Sequence, residues 1–481
     1  MNTWALQKHR HWPTKSQAGW FGAGQKATRP TRSMRDAKRL NPFGENLRVQ
    51  DAERPWQIEH LPYDRDLPIQ TAATAKLSPE LEVSLLTGCE DRHYAVGLST
   101  ALLQAGVSLD VIGSDVVDSP EMHGNRKLRF LNFRGSQDGK ANLCRKISRV
   151  LAYYARLLHY AAVSKPRIVH ILWNNKFEFF DRTVLMLYYK LLRKKLVLTA
   201  HNVNAGRRDS KDSLLNRLTL RIQYRLCDHI FVHTEQMKQE LVEAFHIPNA
   251  AISVIPYGIN DAIPTTDLGP QEAKRRLGIA TCDRVILFFG AIAPYKGLDL
   301  LTAAFERLTA DNPNYLLVIA GKPKPGCDRY LAEVQTIIRR SVASNRVIQR
   351  IEYIPDDETE LYFKAADVLV LPYRTIFQSG VLFLALSFGL PVVAADVGSF
   401  REDVIEGRTG FLCKPNDDAD LSEVLEKYFR SELFAELEQR RSEIRSLTAV
   451  GHSWETVGRL TRSAYLKTLN GSVPDSMSPR D

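Results

Sequence analysis

The sequence lacks the pairs and clusters that mark a small stapled or metal-nucleated module. Its six cysteines (Cys89, Cys144, Cys227, Cys282, Cys327, Cys413) stand singly, with no C-x-x-C pair and no histidine cluster beside them. That disfavours a zinc site or a dense disulfide framework and fits a reducing compartment. Long apolar runs are also scarce. Residues 1–20 hold no continuous apolar segment, so no secretory signal is expected. The longest uncharged stretch, residues 376–395, reaches the length of a membrane span, but Ser379, Gly380, Gly389 and Pro391 break it into helix, turn and strand. No transmembrane segment is expected.

Acid is the scarcer charge, with 55 Asp and Glu against 65 Lys and Arg and a net charge of +10, which favours anionic partners. The imbalance is greatest at the start: residues 1–40 carry nine basic side chains and one acid, Asp36. Residues 1–75 read as a basic, mostly disordered arm. No RNA-binding module or aromatic platform accompanies it, so nucleic acid is not an expected partner.

What is present is ordinary globular protein. A chain of 481 residues, 44% hydrophobic and 25% charged, is too long for one core. From Leu81 onward, short apolar runs alternate with amphipathic stretches, the pattern of parallel strands joined by crossover helices. Strands are predicted at 81–87, 109–112, 168–172, 196–199 and 230–232, with helices such as 95–105, 146–162, 184–193 and 212–225, giving an α/β domain over 80–260. Residues 260–270, rich in Pro, Thr and Asp, read as a hinge. A second series over 270–450 has strands at 285–289, 316–320, 347–348, 368–371 and 391–394 and helices at 298–310, 328–343, 358–365 and 380–388. A last helix, 452–469, is expected to pack back on the first domain, and 470–481 to be a tail. Two Rossmann-like, doubly wound domains facing each other predict a ligand cleft where strand carboxyl ends meet.

Two segments suggest chemistry. Residues 288–297 leave a buried strand, turn at Gly290 and Pro294, and set Lys296 just before a helix, where it either meets phosphate oxygens or is a solvated turn lysine. Farther on, Gln378, Ser379 and Gly380 open the helix that starts with Val381, offering a hydroxyl, an unobstructed glycine and free amides to a diphosphate. A plain N-cap by Ser379 is the alternative.

Pro256-Tyr257-Gly258-Ile259, Gly290 with Lys296-Gly297, Ala366-Asp367-Val368 before Pro372, Gly389-x-Pro391-Val392-Val393, Glu402 and Thr409-Gly410 follow in order. With them the chain, from about Val83 to Tyr465, resembles the family 4 (group 1) glycosyltransferases, retaining nucleotide-sugar enzymes of the GT-B fold. The resemblance implies that Lys296 binds the donor diphosphate beside Gly290, that the helix after Ser379 cradles phosphates and donor sugar, and that Glu402 belongs to the donor site. Two departures stand out: Ala291 replaces a usual arginine, and Ile376 and Leu384 stand where the family has paired glutamates. A subgroup with Q-S-G-V in their place is expected to use Gln378, Ser379, Gly380 and Val381 instead, with Arg374 supplying the missing cation.

On the acceptor side, His201 and Asn202 follow the strand at 196–199. Family members often carry a histidine there, near the transferred sugar; a neutral imidazole can bond a sugar hydroxyl, or the ring is simply satisfied by loop backbone. Gly88 and Arg92, Trp173 and Asn174, and the pair Arg207-Arg208 also lie past strand ends and are acceptor-side candidates. The helix 182–195 mixes leucines with Lys190, Arg193, Lys194 and Lys195, as does 146–159; each reads either as a membrane-surface helix or as a core helix with a solvated basic end.

The expected activity is hexosyl transfer from a nucleotide-diphosphate sugar to a hydroxyl acceptor, whether lipid-linked glycan, polysaccharide or small molecule, on the cytoplasmic face of a membrane. No metal or other cofactor is expected: Asp417-Asp418-Ala419-Asp420 precedes a surface helix and reads as an N-cap. A degenerate sugar-binding protein and a nucleotide-sugar epimerase on the same fold are the rivals.

Overall fold

The computed structural model describes residues 81–88, 91–136, 142–175, 177–208, 212–259 and 265–470. The basic arm, Cys89, Glu90, Lys176, residues 260–264 of the hinge and the tail from 471 lie outside them. Two wholly parallel sheets organise the rest. The first has seven strands in the order β3-β2-β1-β4-β5-β6-β7: β1 (Glu82–Leu86), β2 (Ser108–Gly113), β3 (Leu128–Asn132), β4 (Ile168–Ile171), β5 (Lys195–Thr199), β6 (His229–Val232) and β7 (Ile252–Val254). The second has six in the order β10-β9-β8-β11-β12-β13: β8 (Arg284–Phe289), β9 (Tyr315–Ala320), β10 (Val347–Arg350), β11 (Val368–Leu371), β12 (Val392–Ala395) and β13 (Gly410–Cys413). Central strands are buried on both faces, so they read as unbroken apolar runs.

Three strands were missing from the sequence expectation. β3, β7 and β13 are edge strands, and β3 and β7 expose part of their faces, so neither carries a continuous apolar signal. β13 is four residues long and begins with Gly410.

Strand order reverses between β1 and β4 in one sheet and between β8 and β11 in the other. A doubly wound sheet opens a crevice at that point, at the carboxyl ends of its strands. Gly88 and Trp173 follow β1 and β4; Gly290 and Pro372 follow β8 and β11. The sequence candidates therefore collect at the two switch points.

In the N-terminal domain α1 (Arg92–Gln104) covers one face of the sheet. The other face carries α2 (Leu143–Val163), α3 (178–191, with a π turn at Asp181–Leu185), α4 (Leu214–Leu226) and α5 (Glu235–Phe245). Side-chain oxygens cap these helices where the chain turns in: Asp91 accepts from the Tyr94 amide, Ser213 from Asn216 and Thr234 from Met237. The C-terminal domain has α6 (Leu298–Asp311), α7 (Asp328–Arg340), α8 (Asp356–Ala365), α9 (Gly380–Ser387), α10 (Asp418–Phe429) and α11 (Leu437–His452). Lys274 and Asp367, both buried, brace its core with an ion pair of 2.9 Å.

The last helix, α12 (Trp454–Asn470), leaves the second domain and lies on α1. Gly458 allows the close approach: a Cβ there would sit 2.6 Å from the Ala101 carbonyl oxygen. The Tyr465 hydroxyl meets His170 Nδ1 on β4 at 2.6 Å. Trp454 fills the space over two glycines, since a Cβ on Gly97 or Gly258 would come within 2.2 or 2.5 Å of its ring. The crossing between domains is thus stapled at Tyr257–Ile259, where His452 Nδ1 donates to the Tyr257 carbonyl (3.1 Å) and the Ile259 amide donates to the His452 carbonyl (3.1 Å).

Lys190–Lys195 is not the solvated basic end that the sequence offered. Lys190 and Lys195 both pair with Asp228, at 2.6 and 3.3 Å. Lys194 is buried and donates to the carbonyls of Ser164 and Pro166 at 2.8 Å.

Candidate functional site

Between the domains lies a cavity of about 350 Å³ lined by residues of both, among them Asp91, Tyr257, Lys296, Gln378, Ser379 and Leu384. A second, of about 260 Å³, is lined by Asp91, Trp173, His201, Asn202, His233, Tyr257, Gln378 and Gly380, so the two adjoin. Contacts across the cleft hold its walls together: His93 on α1 meets the Asp356 carboxylate at 3.2 Å, and Tyr257 stacks on Phe383 with centroids 5.7 Å apart.

The C-terminal wall begins where β8 ends. Gly290 has φ +98° and packs directly under Gly321, whose Cβ, if present, would overlap the Gly290 carbonyl. A 3₁₀ turn, Pro294–Lys296, then runs into Gly297 at φ +66°; a side chain there would collide with the Pro372 carbonyl. Only glycine tolerates both the left-handed backbone and the approach. The turn is therefore pinned over the end of β11, and Lys296 is carried inward, 7% exposed, with its ammonium 4.9 Å from the Tyr373 ring. Among the described residues no carboxylate pairs with it. A buried ammonium facing only an aromatic ring is costly unless an anion joins it.

Opposite stands the start of α9. Ser379 is the N-cap residue, yet its hydroxyl makes no capping bond, so the plain-cap alternative fails. The Gln378 side-chain oxygen Oε1 and the Tyr373 hydroxyl are buried without a hydrogen-bond partner. First-turn amides of a helix have no intrahelical acceptor. Gly380 keeps the approach open, since a Cβ there would crowd the Tyr257 hydroxyl at 3.3 Å. Val381 lines the same cavity. Partnerless buried polar groups around one ammonium suit an anionic, hydroxylated ligand.

Two donor-side candidates sit elsewhere. Arg374 does not replace the missing cation: its guanidinium grips Asp299 through two bonds of 2.9 and 2.6 Å and donates to the Pro294 carbonyl at 2.7 Å. Its amide also donates to the Tyr295 carbonyl, so Arg374 braces the turn that carries Lys296. Glu402 lines neither cavity; burial, with the charge of Glu235 from the N-terminal domain, pushes its carboxyl up. Ile376 and Leu384 line the larger cavity, and Leu384 belongs at the same time to the domain core.

The N-terminal wall is aromatic. Gly88, at φ +59°, lets Trp173 pack against the backbone, where a Cβ would lie 2.5 Å away. The Trp173 ring stacks on His201 with centroids 4.2 Å apart, and Tyr94 closes the imidazole edge-on at 4.6 Å. Burial, with His233 and His170 near, drives the His201 pKa well below its ordinary value, and burial lowers that of His233 to about 4. Both rings are neutral at pH 7. Their tautomers follow from the partners. The Ile255 carbonyl oxygen, 3.2 Å from His233 Nδ1, can only accept, so that nitrogen carries the proton and His233 Nε2 is an acceptor. His201 Nδ1, 3.0 Å from it, must donate. His201 Nε2 is left as a bare lone pair, buried and without a partner, able to accept from a hydroxyl.

Of the other acceptor-side candidates, Asn202 lines the smaller cavity. Asn174 does not: its amide pairs reciprocally with Gln223, at 3.1 and 2.8 Å. Arg92 is exposed at the start of α1 and lines neither cavity. The sequence reading missed Asp91, Tyr94, His233, Tyr257, Tyr373 and Trp454. Tyr257 stood inside a quoted motif, and Asp91 is a cap-type residue before a helix; the others carry no local signal, because distant segments bring them to the cleft. Among the described residues no group of three or more His, Cys, Asp or Glu side chains gathers as a metal site.

Comparison with known proteins bears on both walls. Residues 270–445 match the family model "Glycosyl transferases group 1", and residues 92–262 match "Glycosyltransferase Family 4". The chain is 27% identical over 301 residues to D-inositol 3-phosphate glycosyltransferase of Corynebacterium aurimucosum, covering 59% of this chain and 69% of that one. It is 31% identical over 200 residues to the enzyme of the same description from Geodermatophilus obscurus, covering 40% of this chain and 43% of the relative, less than half its length. In fold it is similar to sucrose-phosphate synthase from Thermosynechococcus elongatus (TM-score 0.65, 16% identity, 82% of this chain and 100% of that one). It is likewise similar to Anabaena Alr3699/HepE in complex with UDP-glucose (TM-score 0.62, 17% identity, 81% of this chain and 100% of that one).

Proposed function

We propose that the chain, whose residues 270–445 and 92–262 match group 1 and family 4 glycosyltransferase models and whose fold is GT-B, moves a hexosyl group, with retention at the anomeric carbon, from a nucleoside-diphosphate sugar to a hydroxyl acceptor. The observation that carries this reading is the buried, carboxylate-free ammonium of Lys296 opposite the uncapped start of α9. The diphosphate lies against Lys296, the first amides of α9 and the Ser379 hydroxyl, with the Gln378 amide on the donor sugar. As the bond from the anomeric carbon to the phosphate oxygen breaks, charge on the leaving diphosphate grows, and these preplaced donors stabilise it without a metal ion. The acceptor hydroxyl attacks from the face the diphosphate leaves and gives its proton to the departing phosphate oxygen. His201 Nε2 accepts a hydrogen bond from a sugar hydroxyl in the smaller cavity, where Trp173 and Asn202 bound the acceptor.

The acceptor is read as a hydroxyl-bearing glycan or lipid-linked sugar presented at the cytoplasmic face of a membrane, which suits a basic chain; among the described residues no helix is long and apolar enough to cross one. Incubation with a panel of nucleotide sugars and acceptors tests the reading through nucleotide release and the anomeric configuration of the product. Release with inversion, or none with any donor, overturns it. The apolar residues at 376 and 384 favour one rival, a sugar-binding protein without turnover, which tight nucleotide binding without release would establish.

A further inference from the structure

We propose that the outer faces of α2, α3 and α4 form a docking surface for an anionic lipid bilayer and bring the acceptor side of the cleft to the membrane. The proposal rests on the transferase reading for its purpose and on the surface itself for its location.

Most of the large apolar side chains left exposed among the described residues sit on these three neighbouring helices. Each helix already buries a core stripe: Tyr153 and Leu157 in α2, Met186 and Tyr189 in α3, Leu220 and Tyr224 in α4. Each carries a second apolar stripe, with helical spacing, on the opposite side. In α2 it is Ile147 and Leu151, four apart. In α3 it is Val184, Leu187 and Leu191, the last 82% exposed; in α4 it is Leu214, Leu215 and Leu218, the first 84% exposed. A helix that only covers a sheet turns polar residues outward, and a contiguous apolar patch on a folded surface marks a contact site.

The three helices are neighbours. Tyr154 of α2 packs against Phe180 at 5.0 Å and donates to Asp181 at 2.9 Å, and Arg182 of α3 donates to Asn216 of α4 at 2.8 Å.

Charge selects the occupant. α2 contains Arg145, Lys146, Arg149 and Arg156, α4 contains Arg217, Arg221 and Arg225, and neither has an acidic residue. Carboxylates enter at Glu178, paired with Arg182, and at Asp212, paired with Arg217, so the positive excess of the surface comes from α2 and α4. Leucines interleaved with such an excess suit a surface that offers phosphate headgroups above an apolar layer. The patch also borders the site. In a parallel sheet a helix that follows a strand starts at the strand's carboxyl edge, so Leu214, the first residue of α4, and Ile147, the fifth of α2, lie toward the same edge as Trp173 and His201. Of the lysines beside Leu191, Lys190 and Lys195 pair with Asp228 and Lys194 is buried against the Ser164 and Pro166 carbonyls.

The test uses the full chain with vesicles of phosphatidylcholine, with and without phosphatidylglycerol, sedimented at low and high salt. Calorimetric titration of uridine diphosphate runs in parallel on every protein. The expected result is binding to the anionic vesicles that weakens with salt. The triple variant Leu151→Asp, Leu187→Asp, Leu214→Asp should weaken it by roughly tenfold or more, and Arg221→Ala with Arg225→Ala by roughly fivefold per arginine. The nucleotide affinity of both variants should stay at the parent value. The arginine pair keeps the question answerable if the triple variant fails to fold. Absence of binding at low salt, equal binding to neutral vesicles, or unchanged vesicle binding by a folded variant overturns the docking surface. So does a concentration-dependent dimer of the parent that the variants dissociate, since the patch would then join two copies. Failure of the parent to bind uridine diphosphate while vesicle binding follows the expected pattern counts against the transferase reading and leaves the surface standing.

Discussion

Lys296 and His201 each sit just past the carboxyl end of a strand in a parallel sheet, and each faces the cleft, yet their surroundings prepare them for opposite tasks. The C-terminal domain buries an ammonium beside Tyr373 and leaves its partner to be supplied. The N-terminal domain buries neutral rings: His170, His201, His229 and His233 are all held below their ordinary range by desolvation. The contrast continues outside. In the C-terminal domain, surface arginines and lysines pair with carboxylates, as in Arg408 with Glu443 and Lys427 with Glu406. In the N-terminal domain α2 and α4 have no acid at all. One plan of sheet and helices thus supplies two kinds of wall: a charged one for a leaving diphosphate, and an aromatic, neutral one for hydroxyls.

Acidification should separate the domains most strongly. Unfolded histidines take up protons near pH 6.5, whereas His170, His229 and His233 in the fold resist until about 3, 4 and 4. Their contribution is complete above pH 6.5 and is lost as the pH falls toward 4, on the order of 3 kcal/mol for His233 alone. Asp403, raised by burial from 3.8 to about 7 in the C-terminal domain, has the reverse sign: its contribution is complete below pH 3.8 and lost as the pH rises to 7. Hydrogen exchange at pH 7 and 5, corrected for intrinsic rates, should show β4–β6 losing protection while β12 and β13 hold theirs. Parallel loss would erase the distinction.

Next in size is the charge itself. Lys296→Ala removes a charge-assisted contact and should weaken binding of a nucleoside diphosphate by about 1.5 to 3 kcal/mol, whereas His201→Ala should leave that affinity unchanged and lower turnover. Calorimetry together with initial rates checks the split; a joint loss of affinity in both variants would show that the walls do not divide the work.

Leu384→Ala probes the position that is both core and cavity wall. Because Leu384 opens partly on the cavity, a cost of about 2 kcal/mol, at the low end for a buried leucine, is expected in a thermal melt, with nucleotide affinity retained. The smallest effect belongs to Arg374→Lys, which breaks the two-bond grip on Asp299. It should lower stability by less than about 1 kcal/mol and weaken nucleotide binding less than Lys296→Ala does. An equal loss of affinity would place Arg374 at the phosphates after all.

Much of the fold was legible because central parallel strands are apolar on both faces and helices repeat at their own period. The edge strands β3 and β7 were not, since half-solvated strands lack that signal. In the site, Lys296, Ser379 and Gly380 could be found from local order alone: glycine, turn, lysine, and then a strand running into a helix start. The orphaned polar atoms around them could not, because only the packing of distant segments decides that the Tyr373 hydroxyl and the Gln378 side-chain oxygen end up buried without a partner.

By itself the sequence determined the two α/β series, the glycines that permit left-handed turns at 290 and 297, and the excess of positive charge, all properties of neighbouring residues. Tertiary structure decided which charges remain available. Arg374 is held by Asp299, Lys190 and Lys195 by Asp228, and Asn174 by Gln223, while Lys296 alone of these is buried without a counterpart. It also decided the tautomer of His201, through His233 and the Ile255 carbonyl. Such pairings depend on distances of about 3 Å between segments far apart in the chain, and no local pattern encodes them.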